Sequence, residues 1–193
     1  MKSIPFIGFV LLLVMNLTLA GCQDRQPPAE DPEIAAKKKA AADRFRNRQA
    51  TGPMRLANET MQMIWPAYEQ LREALVVKDV LKAKEAGLMI AEGTKGQRQF
   101  APVYHAAVST VGTNNADQQR IFFSPLSNAL IDIVRESGME EGKIFVAFCP
   151  MAFDDKGGYW LTAQRKIINP YFGDEMLTCG SIRETIEQKD APR

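Results

Sequence analysis

Between Asn58 and Gly138 the large apolar residues recur every three or four positions, a period that commits this part of the chain to amphipathic helices. Met61, Ile64, Trp65, Tyr68, Leu71 and Leu75 share one face of the first helix, which starts near Asn58. Pro66 interrupts that pattern and marks either a kink or a late first turn. The second helix runs from Asp79, an N-cap, to Glu92, with Val80, Ala83, Gly87 and Ala91 on one stripe and Gly93 placed to end it. The third covers Gln97 to Thr110 and carries the chain's only histidine, His105. The fourth runs from Asp117 to Gly138 and buries Phe122, Leu126, Ala129, Leu130, Ile133 and Val134. Gly138 suits a left-handed C′ cap. Four helices with short connections define a mainly α fold, an antiparallel four-helix bundle. Met61, Met63 and Met89 lie on helical stripes and read as core filler, not as ligands.

Beyond Gly142 the pattern changes. Ile144 to Phe148 is a short β-prone apolar run that ends at Cys149, and Pro150 forbids its continuation. Asp154-Asp155-Lys156-Gly157-Gly158 reads as a turn, after which Tyr159-Trp160-Leu161 returns as a strand. Lys166-Ile167-Ile168 is a third extended piece, stopped at Asn169-Pro170. Ser181 and Glu184 match a capping box, which predicts a final short helix from Ser181 to about Gln188. The expected C-terminal part is therefore a loop-rich cap of short strands closed by that helix.

The N-terminus sets the compartment. Lys2 supplies a positive start, Ile4 to Val14 an apolar run too short to span a bilayer comfortably, and Leu19-Ala20-Gly21-Cys22 follows. This sequence resembles the bacterial lipobox, in which cleavage precedes the cysteine and its thiol receives a diacylglycerol. The resemblance implies a signal peptide over residues 1–21 and lipidation at Cys22, which anchors the protein to a membrane. Gln23 stands where an Asp often directs inner-membrane retention, so the outer membrane is favoured, with the folded part facing the oxidising periplasm. Residues 22–57 then form a linker, rich in Pro, Ala and Lys and poor in large apolar side chains. The helical domain with its Cys/Met-rich cap, residues 149–180, occupies 58–190. A formal net charge of +1 gives no support to nucleic-acid binding.

Of the 3 cysteines, Cys149 and Cys179 remain after the lipidated one. In an oxidising compartment a disulfide is the default for such a pair. Closing a loop of about thirty residues would stabilise a poorly ordered cap by roughly 3–4 kcal/mol. Alternatively, Cys149-Pro150-Met151 and Met176-Leu177-Thr178-Cys179 offer two thiolates and two thioethers, a soft donor set suited to Cu(I) or Ag(I). Zinc is disfavoured, because His105 is the single imidazole and lies far away in sequence. The aromatic residues around the cysteines could shield an ion or simply pack the cap. Both readings stay open on the residues alone.

Cys149-Pro150-Met151-Ala152, Lys156-Gly157-Gly158-Tyr159-Trp160-Leu161, Asn169-Pro170-Tyr171-Phe172-Gly173 and Met176-Leu177-Thr178-Cys179-Gly180 together resemble one family. It is an uncharacterised bacterial domain found in periplasmic lipoproteins and appended to the periplasmic adaptor subunits of copper/silver efflux pumps. Gln119-Arg120 with Phe123 also resembles that family's signature on the last helix. The resemblance spans about Trp65 to Ile186. It implies a helical bundle followed by a sulfur-rich cap and a role in heavy-metal handling with an efflux adaptor as partner, and it tips the choice towards Cu(I) or Ag(I) held by Cys149, Met151, Met176 and Cys179, with a Cys149–Cys179 disulfide in a metal-free docking domain as the alternative. His105 does not match the spacing of the histidine that members often carry on a middle helix. No nucleophile with its base, phosphate loop or metal-hydrolase motif stands out, so the chain reads as a binder or a docking domain and not as an enzyme. The acidic pairs Asp154-Asp155 and Asp174-Glu175 read as solvated turns.

Overall fold

A computed structural model describes residues 53–188 together with Pro32. The expected signal peptide, the expected lipidation site Cys22 and nearly all of the expected linker lie outside the described residues. The order of elements is β1 (Arg55–Leu56), α1 (Glu59–Val76), α2 (Val80–Thr94), a 3-10 turn (Arg98–Phe100), α3 (Ala101–Gly112), α4 (Ala116–Ser137), β2 (Met139–Glu141), β3 (Lys143–Cys149), a one-turn α5 (Ala152–Asp155), β4 (Gly158–Thr162), a second 3-10 turn (Gly173–Met176) and β5 (Ser181–Glu187). The fold is mainly α, with two small antiparallel sheets.

Side-chain caps set the helix starts. Asn58 Oδ1 accepts from the Met61 N–H at 3.0 Å, Asp79 Oδ1 from Lys82 at 3.1 Å and Asn115 Oδ1 from Gln118 at 2.9 Å. Gly138 ends α4 at φ +78°, and its N–H donates to the Val134 carbonyl at 2.8 Å. The helix α1 runs through Pro66, whose ring faces solvent. Likewise α2 continues one residue past Gly93. The buried face of α4 is rotated slightly from the expected one: Phe123 and Ile131 are buried, whereas Phe122 and Ala129 are only partly so.

From α1 to α4 each helix packs against the next along the chain, and α1 also meets α4. Small residues govern the contact between α2 and α3. A Cβ added at Gly87 would stand 3.2 Å from Val111 Cγ2 and 3.3 Å from the Ala107 carbonyl oxygen, so the bare glycine lets these backbones approach.

The C-terminal part departs from expectation. Instead of a loop-rich cap it is a three-stranded antiparallel sheet of order β4-β3-β5. The middle strand β3 is apolar almost throughout and buried on both faces. Ser181–Glu187, expected as a helix, is the strand β5, pairing from Lys143↔Glu187 to Phe148↔Ser181, with Arg183 as the extra residue of a bulge. The capping-box pattern is outcompeted because β5 satisfies the open edge of β3 along its length. Glu184 then pairs with Arg135 on α4 at 2.7 Å and does not cap Ser181. Lys166-Ile167-Ile168 is not a paired strand; it belongs to the long connection between β4 and β5. The structured domain also begins earlier than Asn58, since β1 pairs with β2.

Candidate functional site

The last turn of β3 delivers Cys149 to a position opposite Gly158 of β4, where the cysteine is completely buried. Cys179 approaches from the connection that precedes β5 and remains half-buried. Their Sγ atoms are 2.8 Å apart, closer than non-bonded sulfurs ordinarily approach. Sequence separation of 30 residues is thus reduced to direct contact.

Three local devices produce this approach. Asn169 is fully buried and holds the connection together: its Nδ2 donates to the Cys179 carbonyl at 3.0 Å, its Oδ1 accepts from the Tyr171 N–H at 2.8 Å, and its N–H donates to the Leu177 carbonyl at 2.8 Å. Gly180 adopts φ +129°, and a Cβ there would lie 2.7 Å from the Phe148 carbonyl oxygen and 3.0 Å from Trp160 Cη2. Only glycine lets Cys179 come this close to the end of β3. On the other side, Phe153, Asp154 and Asp155 take left-handed φ values of 56°, 56° and 63°. That tight turn sends the chain from Cys149 straight back into β4, at a cost of roughly 1–2 kcal/mol per residue.

The connection is tied to the helices through Arg120, which is almost fully buried. Its Nε donates to the Pro170 carbonyl at 3.1 Å, its Nη2 to the Leu75 carbonyl at 3.0 Å and its Nη1 to Asp117 Oδ1 at 2.8 Å. Leu75 lies in the last turn of α1, so the guanidinium also sits favourably at that helix's negative end. Gly173, at φ +61°, has no room for a side chain, since a Cβ there would clash with the Val76 carbonyl oxygen and stand 2.9 Å from Arg120 Nη2. The Arg120 and Asn-Pro-Tyr-Phe-Gly motifs therefore form one latch.

Two tyrosine hydroxyls cap the outer edge of β4. Leu161 N–H donates to Tyr68 Oη at 2.9 Å, and Tyr171 Oη donates to the Tyr159 carbonyl. Leu161 and Tyr159 have the same parity along the strand, so both turn their backbone polar groups away from β3. Without these hydroxyls the groups would face a buried, apolar surround. Tyr68 also shares a hydrogen bond with Ser127 at 2.9 Å, which joins α1, α4 and β4 at one atom. Burial pushes both phenols well above their ordinary pKa. Phe123 lies between them, its ring centroid 5.5 Å from that of Tyr68 and 5.8 Å from that of Tyr171.

The hydrogen bond with Cys149 pushes the Cys179 thiol up to about 11, and desolvation adds to the rise. The Met151 backbone N–H, donating to the same sulfur, works in the opposite direction. Met151 is 47% exposed and Met176 is half-buried. Of the four expected sulfur ligands, the structure therefore brings the two thiols together and sets the Met151 backbone beside them. His105 is exposed on α3 next to Tyr104. Among the described residues, no group of three or more His, Cys, Asp and Glu side chains could hold a metal ion. Two thiolates on one tetrahedral ion with bonds of about 2.3 Å would stand roughly 3.8 Å apart. The pair as placed is about 1 Å closer than that and stands as two free thiols in contact, longer than a sulfur–sulfur bond of about 2.05 Å.

Sequence reasoning singled out the cysteines but missed Tyr68, Arg120 and Asn169 as the residues that position them. Asn169 carried a signal, since Asn before Pro favours a side-chain-stabilised turn. Tyr68 carried none, because its partner is 93 residues away. Comparison with known protein families, characterised proteins and solved structures finds no match for this chain.

Proposed function

We propose that this chain is a lipid-anchored, periplasm-facing envelope domain whose C-terminal sheet is locked by a Cys149–Cys179 disulfide, and that it docks on an envelope partner engaged in heavy-metal handling. The observation that carries the clamp is the 2.8 Å separation of the two sulfurs. The partner class rests on the sequence resemblance to domains attached to copper/silver efflux adaptors. In this reading α1–α4 form an antiparallel four-helix bundle, as the serial packing of each helix on the next supports, and the sheet is the element that the disulfide rigidifies.

Intact mass of protein taken from the periplasm under acid quench tests the clamp. Loss of two hydrogen atoms, with a cross-linked peptide pair containing Cys149 and Cys179, is the expected result; two free thiols in freshly isolated protein would refute it. For the anchor, Cys22→Ser should release the protein from the membrane fraction.

A second reading has one observation in its favour. The Met151 backbone N–H acts on the Cys179 sulfur, and the Met151 side chain is 47% exposed and so free to turn toward it. In the reduced protein these sulfurs, with Cys149 and Met176, would take Cu(I) or Ag(I). Titration of the reduced full chain with Cu(I) against a chromogenic chelator decides this: equal affinity in the Cys149→Ala/Cys179→Ala variant would end the metal reading.

A further inference from the structure

The two sulfurs differ in their access to solvent. Cys149 has 0% exposure, closed in by the core that also buries Ala147, Ala152 and Trp160. Cys179 is half-buried and lies outside any strand. Its segment is held by the Cys179 N–H bond to the Met176 carbonyl at 3.1 Å and by Asn169. The hydrogen bond that the Met151 backbone N–H donates to the Cys179 sulfur stabilises negative charge there, whether that sulfur attacks or leaves.

We infer that the pair exchanges electrons with external disulfides and dithiols through Cys179, while Cys149 serves as the buried resolving thiol. This rests on the proposed pairing and adds to it a direction and a substrate class. In oxidation, the Cys179 thiolate attacks one sulfur of a partner disulfide. A Cys179–partner bond forms, the partner's own sulfur–sulfur bond breaks, and one partner thiolate leaves and takes up a proton. Cys149, 2.8 Å away, then gives up its proton and attacks Cys179 Sγ. The intramolecular bond forms as the partner's second thiolate leaves. Two protein thiols are oxidised and one partner disulfide is reduced to two thiols, so electrons and protons balance. Reduction by an external dithiol is the same sequence in reverse, with Cys179 attacked because Cys149 cannot be reached. The Cys179 thiol, held up to about 11 by its neighbour, makes the first step slow at neutral pH and faster as pH rises.

The test uses the full lipidated chain in detergent micelles, reduced, with oxidised glutathione as the probe. Cys149→Ala should accumulate one glutathione per chain, mapped to Cys179, at a rate that climbs from pH 7 to pH 10. Cys179→Ala should react at Cys149 at least about tenfold more slowly under native conditions, and fully once urea opens the fold. The wild-type chain should pass to the intramolecular disulfide without a stable adduct. Cys149 in Cys179→Ala reacting as fast as Cys179 in Cys149→Ala would overturn the inference while leaving the clamp standing. Stable adducts on both cysteines of the wild-type chain would instead overturn the pairing itself. Unchanged circular dichroism in both variants excludes misfolding as the source of either result.

Discussion

Reduction of the proposed Cys149–Cys179 disulfide should lower the stability of this domain by an amount that the loop length sets. The proposed bridge would join sulfurs 30 positions apart in the chain. The chain-entropy relation then gives about 3.6 kcal/mol at 25 °C. For a domain of this size a urea dependence of about 2 kcal/mol per molar is ordinary, so the unfolding midpoint should fall by about 1.5–2 M. Most of the loss should come from the connection between β4 and β5, where a single 3-10 turn is the only regular structure. Trp65 and Trp160 are both buried, so their fluorescence reports the transition from both layers. Urea titrations of the oxidised chain, the chain in excess dithiothreitol and the Cys149→Ala/Cys179→Ala variant give the comparison. The last two should agree with each other and fall below the first. Midpoints of oxidised and reduced protein within about 0.3 M would refute the reasoning, because a clamp of this span cannot be so nearly neutral unless the unfolded chain is already constrained.

Tyr68→Phe removes one hydroxyl but leaves the Leu161 N–H and the Ser127 hydroxyl without their partner, so a loss of about 2–4 kcal/mol is expected in the same urea assay. Arg120→Ala should cost about 2–4 kcal/mol, since it leaves the Pro170 carbonyl without its partner and leaves the Leu75 carbonyl only the long backbone bond from Lys78 at 3.4 Å. Near-ultraviolet circular dichroism from Tyr171 should weaken in the folded fraction of that variant as the latch loosens. In the reduced protein, the folded-state pKa of Cys179 is raised to about 11 from an ordinary value of 9.0. Protonation then favours the folded state, and that contribution is complete below pH 9 and is lost as pH rises through 11. Urea midpoints of the reduced wild-type chain should therefore decline across this window, and Cys179→Ala should flatten the decline.

The helices were written locally. A helical backbone hydrogen bond spans four residues, so period, N-cap and terminal glycine lie within one window, and Asn58, Asp79 and Gly138 act as their identities require. The apolar run ahead of Cys149 likewise announced β3, and the pair of cysteines near the C-terminus pointed to sulfurs that the structure brings within 2.8 Å of each other. What occupies Ser181–Glu187 was not legible: its serine and glutamate spell a helix start, yet the unpaired side of β3 offered a full ladder of backbone partners about forty residues upstream. The same holds for Tyr68, which chose its partner on β4 only once α1 had packed there, and for Asn169 and Gly180, whose roles depend on where the sheet already stood. Local sequence specified which segments coil, extend or turn. Contact between two sulfurs was settled by pairing and packing across distant segments, because strand ladders and buried hydrogen bonds are satisfied by whichever partner the assembled fold brings within reach.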